Sequence, residues 1–335
     1  KTECGVKEVI REDLEKLIKL HEVPGVAVIN LNTAGEITIN SAGHTRRTDL
    51  AETNGARAII SSTLFQLASV SKMLTAWLVV ELAEQKILEL DQQYHLPMAK
   101  GCAPKGVTLR QLLCHRGGFS KNIGFAGETA VRSEDAGREV ADGCIASFNP
   151  STIGCFQYSG CSYWFVQQVL EQLLEQQFND LLQQWICRPC GMVNTTTTPP
   201  NEGEPCVARG HDANGTELIG GWRRFPGVEA AAGIWTSAAD IGCLLQALLL
   251  DKEKLKQVSC LTNATNLMNG QFDNGYHLGV LVENTTRGVL ISHKGLNPGY
   301  QAVVRMNLER KTACFILTNK EGCDAVCNPL LRDVL

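Results

Sequence analysis

The stretch Phe65-Gln-Leu-Ala-Ser69-Val-Ser71-Lys72-Met-Leu-Thr75-Ala-Trp77 carries the strongest indication of how this chain folds. Apolar residues downstream of Ser69 recur with a helical period rather than an alternating one, at Met73, Leu74, Trp77, Leu78, Leu82 and Ile87. Residues three apart on a helix share a face. We therefore expect Ser69 and Lys72 to lie side by side on the first turn of a buried helix.

This pair has the ingredients of an activated nucleophile. A serine hydroxyl attacks carbonyl carbon readily only when a neighbouring base takes its proton. Lys72 can be that base if burial or a nearby positive charge lowers the pKa of its ammonium. A Ser-x-x-Lys pair alone is equally compatible with a capping serine and a lysine that reaches solvent. The rest of the sequence decides between these interpretations.

Length, composition and charge are those of an ordinary globular protein. The 335 residues can bury a core in one large or two interleaved domains. A hydrophobic content of 44% and a net charge of −4 leave no basic stripe for nucleic acid and no polybasic membrane patch. No apolar run approaches the ~20 residues that span a bilayer. The chain begins with polar residues at Lys1, so we expect any signal peptide to have been removed.

Cysteine content and glycosylation motifs favour the secretory pathway. The fourteen cysteines predict several disulfide bridges in an oxidising compartment, with a pairing that the sequence does not reveal. Four Asn-x-Thr acceptors lie in polar, turn-like stretches, at Asn194, Asn214, Asn263 and Asn284. Together they predict a eukaryotic protein that is secreted or held in a secretory lumen, either extracellular or in a vacuole or lysosome.

No metal or cofactor is predicted. Cys187-Arg-Pro-Cys190 has the spacing of a redox or zinc site. It lacks the strand–helix context of a redox fold and a second ligand pair nearby, so we interpret both cysteines as structural. No cluster of His, Asp and Glu has the spacing of metal ligands.

The order of elements predicts an α+β fold. Strands are predicted at 26–31, 37–40, 276–282, 288–293, 300–306 and 312–318. Helices are predicted at 6–20, after Ser69, and at 107–115, 133–146, 161–186 with a break near Gln177, 239–250 and 323–334. The simplest packing is an antiparallel sheet flanked by the terminal helices, built from 1–61 and 211–335, with a mostly helical lobe, 62–210, inserted. The cleft between the lobes is the expected site for a small molecule or peptide.

Two further segments carry groups that acyl transfer requires. Tyr158 lies in a loop before the predicted 161–186 helix, where a phenol beside a lysine ammonium is expected to have a lowered pKa and can shuttle protons. Ser292-His-Lys-Gly295 ends a predicted strand, whose backbone N–H groups and glycine suit an oxyanion site. Taken singly, the tyrosine is also compatible with a packing role and the strand with a simple edge and turn.

Three motifs occur in a diagnostic order: Ser69-x-x-Lys72, Tyr158-Ser-Gly160 and His293-Lys-Gly295. The chain resembles the serine β-lactamase and penicillin-binding-protein superfamily, in particular its class C β-lactamase-like branch. That branch also includes esterases, D-aminopeptidases, DD-carboxypeptidases and fungal transacylases. The resemblance covers nearly the whole chain, through the segments 23–28, 65–76, 107–118, 189–192, 231–240 and 292–300.

The resemblance implies a role for each site residue. Ser69 would be the acylated nucleophile and Lys72 the residue that activates it. Tyr158 would be the general base, and later the acid that protonates the leaving group. The backbone N–H groups of Ser69 and Leu296 would form the oxyanion hole.

The remaining predicted substrate-binding residues are His293, Gly295 and Gly160. His293 takes the position of the lysine in the family's Lys-Thr-Gly motif, where histidine is frequent among esterase and peptidase members. The middle motif of the family is usually Tyr-x-Asn, and Gly160 here replaces the asparagine that holds the lysine and contacts the substrate amide. This departure argues against efficient β-lactam hydrolysis and leaves ester chemistry, transacylation or another substrate open.

Three functions follow as alternatives. The first is hydrolysis of an ester or amide of a small molecule or peptide through an acyl-enzyme. The second is transfer of the acyl group to a small-molecule acceptor, since pocket shape decides whether water reaches the intermediate. The third is a catalytically silent protein that binds a ligand in the same cleft, with Gly160 as its main support.

Overall fold

A computed structural model gives the fold of most of the chain. It describes residues 11–47, 55–94, 104–120, 136–201, 204, 206–255 and 275–334. The predicted helix at 6–20 is seen there as α1, Arg11–Leu20, and its residues 6–10 lie outside the described part. None of the helices in these ranges has both the length and the apolar character needed to cross a bilayer.

A seven-stranded antiparallel sheet forms the centre of the molecule. Its strands are β1 Gly25–Leu31, β2 Ile37–Gly43, β7 Gly275–His277, β8 Val280–Thr285, β9 Gly288–Asn297, β10 Tyr300–Asn307 and β11 Thr312–Thr318. Their order across the sheet is β2-β1-β11-β10-β9-β8-β7. The antiparallel sheet predicted from the first and last parts of the chain is therefore confirmed.

The prediction of one strand at 276–282 is wrong, because this segment contains parts of two antiparallel strands, β7 and β8, joined by a tight turn at Leu278-Gly279. Gly279 has a φ of +74°, a backbone conformation that glycine adopts without steric cost. A Cβ atom there would lie 2.7 Å from the carbonyl oxygen of Lys72. The turn therefore packs directly against the helix that follows Ser69.

Helices cover both faces of the sheet. The terminal face carries α1 and α10, Asp324–Leu330, followed by a 3₁₀ turn at Arg332–Val334. The opposite face carries α9, Ala238–Leu250. Ser237 caps this helix, because its hydroxyl accepts the N–H of Asp240. Alternate residues of β1 consequently enter two cores, Val26 and Val28 on the terminal side, and Ala27, Ile29 and Leu31 on the other.

The inserted region is mostly helical, as predicted. Its helices are α2 Ser71–Glu84, α3 Leu109–Leu113, α4 Ala136–Ala146, α5 Gly160–Leu174, α6 Phe178–Leu182 and α7 Arg188–Cys190, with a π-helical turn at Gln183–Cys187. The predicted break near Gln177 is confirmed, because Glu175 adopts a left-handed conformation that ends α5. Nearly every residue of α2 is buried, which fits its apolar residues on all sides.

Several short elements were not predicted from the sequence, and one pair of them joins the two regions. Strand β3, Leu64–Gln66, pairs with β6, Trp235–Ser237, just before the Ser69 turn. Strands β4, Gly117–Phe119, and β5, Phe148–Ile153, form a second two-stranded ribbon. A single turn of helix, α8, spans Glu229–Ala232. The pairing of β3 with β6 crosses between the two regions. The boundaries at 61/62 and 210/211 stay a prediction.

The disulfide prediction is not supported within the described ranges, where no pair of cysteines lies at bonding distance. Most of these cysteines are buried on separate elements, among them Cys114, Cys187 and Cys327. Cysteine behaves in such positions as a small apolar side chain. Cys187 and Cys190 lie in the core beside α7, in agreement with a structural interpretation. The secretory localisation, which rested partly on bridges, stays a prediction.

The glycosylation acceptors differ in their surroundings. Asn214 lies exposed in a turn and Asn284 lies exposed near the end of β8, whereas Asn263 falls outside the described residues. The side-chain amide of Asn194 instead points inward, donating to Asp240 Oδ1 at 3.2 Å and to Ser237 Oγ at 3.3 Å. A glycan on that nitrogen would replace one of these bonds, and glycosylation at each of the four acceptors stays a prediction.

Candidate active site

Ser69 lies in a 3₁₀ turn, Ala68–Val70, that leads into α2. It therefore precedes the regular helix instead of occupying its first turn. Ala68 has a φ of +49°, a sparsely populated conformation for a residue other than glycine, of the kind that clusters at functional sites. The predicted contact with Lys72 is confirmed, because Lys72 Nζ lies 3.1 Å from Ser69 Oγ.

Lys72 is buried without an opposite charge. Only 1% of the residue is exposed, and Nζ also donates to the carbonyl oxygen of Ala231 at 2.8 Å. Burial lowers the pKa of this lysine to about 7, because the charged form loses its hydration. A neutral amine in this position keeps one N–H on Ala231 and offers its lone pair to the proton of Ser69.

Three carbonyl groups of α8 accept hydrogen bonds from side chains of the two elements that flank the site, α2 and β9. Ala231 O accepts from Lys72, while Ala230 O accepts from Thr75 Oγ1 at 2.7 Å on the same helix, α2. Ala232 O accepts from Asn297 Nδ2 at 3.0 Å, at the end of β9. Sequence patterns marked only the segment 231–240 and assigned no role to these carbonyl groups.

Gly160 begins α5 and brings no side chain to Lys72. The lysine is held by the Ala231 carbonyl, so the family's missing asparagine does not leave the ammonium without a partner. A carbonyl oxygen can only accept, however, whereas an asparagine amide can also donate to a substrate. The loss therefore concerns substrate contact more than the placement of Lys72.

Tyr158 completes the group around the nucleophile. It lines the same cavity as Ser69, and its ring centre lies 5.1 Å from Lys72 Nζ. Burial raises the pKa of Tyr158 to about 12, although the nearby Ser69 side chain lowers it in part. The expected lowering of this pKa by Lys72 is therefore wrong, because desolvation is the larger effect. The phenol keeps its proton at neutral pH.

His115 fixes the loop that carries Tyr158. Its Nδ1 accepts the backbone N–H of Ser159 at 3.1 Å, and its carbonyl accepts the N–H of Gln157 at 2.8 Å. The imidazole centre lies 4.2 Å from the Tyr158 ring. The sequence marked this histidine only as part of the 107–118 segment, and its contact with the loop depends on the tertiary structure.

Gly295 lets β9 run directly against the nucleophile turn. A Cβ atom at this position would lie 2.6 Å from Leu67 O and 2.8 Å from the backbone nitrogen of Ser69. Real side chains do not tolerate such approaches to backbone atoms. This contact places Leu296 and Ser69 on the wall of one cavity, as an oxyanion site between them requires.

His293 does not line that cavity. Its Nδ1 lies 3.0 Å from Lys294 O, and a carbonyl accepts only, so this nitrogen carries the proton. Its Nε2 then accepts from the hydroxyl of Tyr276 at 2.9 Å. Burial and the nearby Lys72 lower the pKa of His293 to about 3. The predicted substrate contact of this side chain is therefore not observed, since internal partners occupy both nitrogens.

The cavity beside the nucleophile has a volume of about 730 Å³. It is lined by Ser69, Tyr158, Ala213, Lys294, Leu296, Asn297, Pro298, Glu321 and Gly322. The sequence placed Ser69, Tyr158 and Leu296 at the site. Lys294 and Asn297 lie on β9 beside Leu296, whereas Ala213, Glu321 and Gly322 come from loops that only the fold brings together. Within the described ranges, no three His, Cys, Asp or Glu side chains come together as a metal site.

A family model described as beta-lactamase matches residues 9–335 of the sequence. The chain belongs to the beta-lactamase family. Among curated relatives, penicillin-binding protein 4* of Bacillus subtilis (strain 168) is 24% identical over 300 residues, covering 81% of this chain and 64% of that protein. Penicillin-binding protein 4 of Amycolatopsis lactamdurans is 26% identical over 210 residues, covering 60% and 52%. The chain therefore spans between about half and just under two thirds of these relatives.

Solved structures show the same fold. A class C beta-lactamase from Rhodobacter sphaeroides superposes with a TM-score of 0.75 at 18% identity, over 96% of each chain. A D-amino acid amidase from Ochrobactrum anthropi SV3 gives 0.73 at 19%, over 95% of each chain. An octameric penicillin-binding protein homologue from Pyrococcus abyssi gives 0.71 at 19%, over 92% of this chain and 72% of that one. The predicted superfamily and fold are thus confirmed.

Proposed function

We propose that this member of the beta-lactamase family is a serine hydrolase that cleaves an ester or amide through an acyl-enzyme on Ser69. The observation that carries the proposal is the 3.1 Å contact between Ser69 Oγ and a lysine whose pKa burial lowers to about 7. A lysine with that pKa is a base at neutral pH, and it already touches the hydroxyl that it must deprotonate.

In the acylation step, the Ser69 proton moves to neutral Lys72 as Oγ bonds to the substrate carbonyl carbon. The negative oxygen is held by the backbone N–H groups of Ser69 and Leu296, which are worth most when water is excluded. The bond to the leaving atom then breaks. Tyr158 gives that atom its phenolic proton and is reprotonated from Lys72, so charge and protons balance.

Water completes the cycle by the reverse route. Its oxygen adds to the acyl carbon while one proton passes to the relay of Tyr158 and Lys72, and the same proton returns to Ser69 Oγ as the acid departs. The raised pKa of Tyr158, about 12, favours this phenol as the proton donor and Lys72 as the first acceptor. The sequence resemblance implied that Tyr158 acts first as the general base and later as the acid. In this proposal Lys72 is the base in acylation, and Tyr158 acts there as the acid.

β-Lactams are expected to be poor substrates. The lysine-holding asparagine is replaced by Gly160, and a β-lactam carboxylate finds no unpaired surface cation among the described lining residues. Acyl transfer to an alcohol or amine would use the same acyl-enzyme. Product analysis with and without such an acceptor separates transfer from hydrolysis.

Covalent labelling tests the proposal. A fluorophosphonate and a penicillin are incubated with the intact chain, and the mass increment is located by peptide mapping. We expect fluorophosphonate labelling at Ser69, its loss in Ser69→Ala and its persistence in Ser71→Ala, whose hydroxyl only accepts the N–H of Ile234. Absence of labelling with every acylating probe would leave the silent binding protein as the better description.

A further inference from the structure

The wall of the cavity carries one negative charge that no described cation matches. Of the described residues that line it, only Lys294 and Glu321 carry a formal charge. Lys294 Nζ lies 2.6 Å from Asp324 Oδ1 and 2.7 Å from Asp324 Oδ2, so its charge is already matched. The bond also holds the pKa of the Asp324 carboxyl below its usual range. Glu321 is consequently the charge that remains.

Glu321 has hydrogen-bond partners but no counter-ion. Its Oε1 accepts the backbone N–H of Gly299 at 2.8 Å. Within the described ranges, no lysine, arginine or histidine forms an ion pair with it. The adjacent Lys320 instead donates to the carbonyl of His21 at 3.2 Å. The second carboxylate oxygen therefore remains available at the cavity.

The backbone holds this carboxylate in place. The N–H of Glu321 donates to His211 O at 3.0 Å, and the N–H of His211 donates to Asn319 O at 2.9 Å. Together with the Gly299 bond, these contacts fix both ends of the residue. A charge that is already positioned costs little entropy when it binds a ligand.

We propose that the cavity selects acyl substrates that carry a positive charge, such as an ammonium, and that Glu321 is the residue that recognises it. The proposal rests on the serine-hydrolase function above for its reaction and adds the substrate class. Among the described lining residues, an anionic substrate would meet Glu321 and no unmatched cation, and partly protonated Lys72 lies behind Ser69, off the cavity wall. Like charges at close range oppose binding.

Matched esters test the proposal by turnover. Butyrylthiocholine places a quaternary ammonium in the leaving group, and S-(3,3-dimethylbutyl) thiobutyrate is its uncharged isostere. A second pair carries the charge in the acyl part, namely the p-nitrophenyl esters of 4-(trimethylammonio)butanoic acid and 5,5-dimethylhexanoic acid. For at least one pair we expect the cationic member to have the higher kcat/KM, by roughly ten- to thirtyfold, as for a charge-assisted contact.

The variant Glu321→Gln keeps the acceptor for Gly299 and removes the charge. Its cationic-to-neutral ratio should fall close to one, mainly through a higher KM for the cationic ester. Glu309→Gln is the matched control, because Glu309 also accepts a backbone N–H, that of Val289, but does not line the cavity. Its ratio should remain that of the unmodified chain. Added salt should reduce the preference in the unmodified chain and not in Glu321→Gln.

Binding to Ser69→Ala separates this proposal from the reaction itself. Calorimetry with the members of both pairs needs no turnover, so it remains informative if no ester is hydrolysed. Tighter binding of the cation, lost in Ser69→Ala/Glu321→Gln, supports the proposal even if the hydrolase assignment fails. Equal binding of the members of both pairs, or a ratio unchanged by Glu321→Gln, overturns it even if Ser69 is the nucleophile.

Discussion

Two lysines near the cavity differ in almost every respect. Lys72 is 1% exposed, contacts a hydroxyl and a carbonyl, and has no described carboxylate partner. The side chain of Lys294 is 43% exposed and lies against the carboxylate of Asp324. The core removes water from Lys72 without supplying an opposite charge, and this lowers its pKa to about 7. The difference teaches that a lysine becomes a base here through burial without a counter-ion.

Replacement of each lysine by alanine should give the largest contrast. Lys72→Ala removes the base in contact with Ser69, so kcat/KM for a neutral ester should fall by roughly 10²–10⁴-fold. Lys294→Ala removes a half-exposed ion pair of the kind worth about 0–1 kcal/mol, so the same parameter should change no more than a fewfold. Circular dichroism of both variants checks that the fold persists. If kcat/KM falls by similar factors in the two variants, Lys72 has no special role as the base.

Tyr158→Phe should produce the next largest effect. The variant keeps the ring beside Lys72 and removes the phenolic hydroxyl from the cavity that Ser69 lines, so turnover should fall by about 10²-fold or more. Tyr94→Phe is the control, because its hydroxyl contacts only the backbone of Glu89 in the described structure. If Tyr158→Phe retains near-normal turnover, the leaving group receives its proton from another source.

The pH profile should follow Lys72 alone. Since the neutral amine is the active form, the acylation rate should rise about tenfold per pH unit below about pH 7 and then level off. His293, at about 3, and Tyr158, at about 12, titrate outside this range. A single-turnover assay with a neutral ester measures the profile. An inflection near the ordinary lysine pKa would show that burial does not tune this residue.

The same shift predicts a pH-dependent stability. Lys72 is neutral in the folded state above about 7 but protonated in the unfolded state up to about 10.4, so the unfolded state binds the extra proton in this window. The free energy of unfolding should therefore rise with pH there, by up to about 1.4 kcal/mol per unit, relative to Lys72→Met. Urea titrations of both proteins at several pH values measure the difference. No change in that difference would contradict the shift.

Gly295→Ala bears least on the comparison of Lys72 with Lys294, because it changes the backbone packing of β9 and neither lysine side chain. It forces β9 away from the Ser69 turn, which costs about 1–3 kcal/mol of stability and displaces the oxyanion donors. Gly143→Ala is the control, because a Cβ there meets no atom within 4 Å and the position is helical. That change should stabilise by about 0.5–1 kcal/mol. Thermal unfolding and ester turnover distinguish the two.

Local patterns predicted what local physics controls. The short Val-, Ile- and Leu-rich runs of β10 and β11 and the helical period after Ser69 specified their elements, because such residues suit a buried strand and burial on a helix follows its period. The break before Gln177 was also predicted, whereas the turn at Leu278-Gly279 was missed, since one glycine with a positive φ decides it. The short ribbons β3–β6 and β4–β5 depend on partners far apart in the chain.

The sequence by itself determined the candidate nucleophile, its proposed lysine and tyrosine partners, and the sheet with its helical insertion, since these are carried by motif spacing and hydrophobic period. The tertiary structure alone decided that Ala231 holds Lys72, that His293 turns away from the cavity, and that Glu321 carries its unmatched charge. The contact of Lys72 with Ala231 joins residues 159 positions apart, and the unmatched charge of Glu321 depends on the ion pair between Lys294 and Asp324. Desolvation and counter-ions are properties of the assembled site, and they set the pKa values on which the chemistry depends.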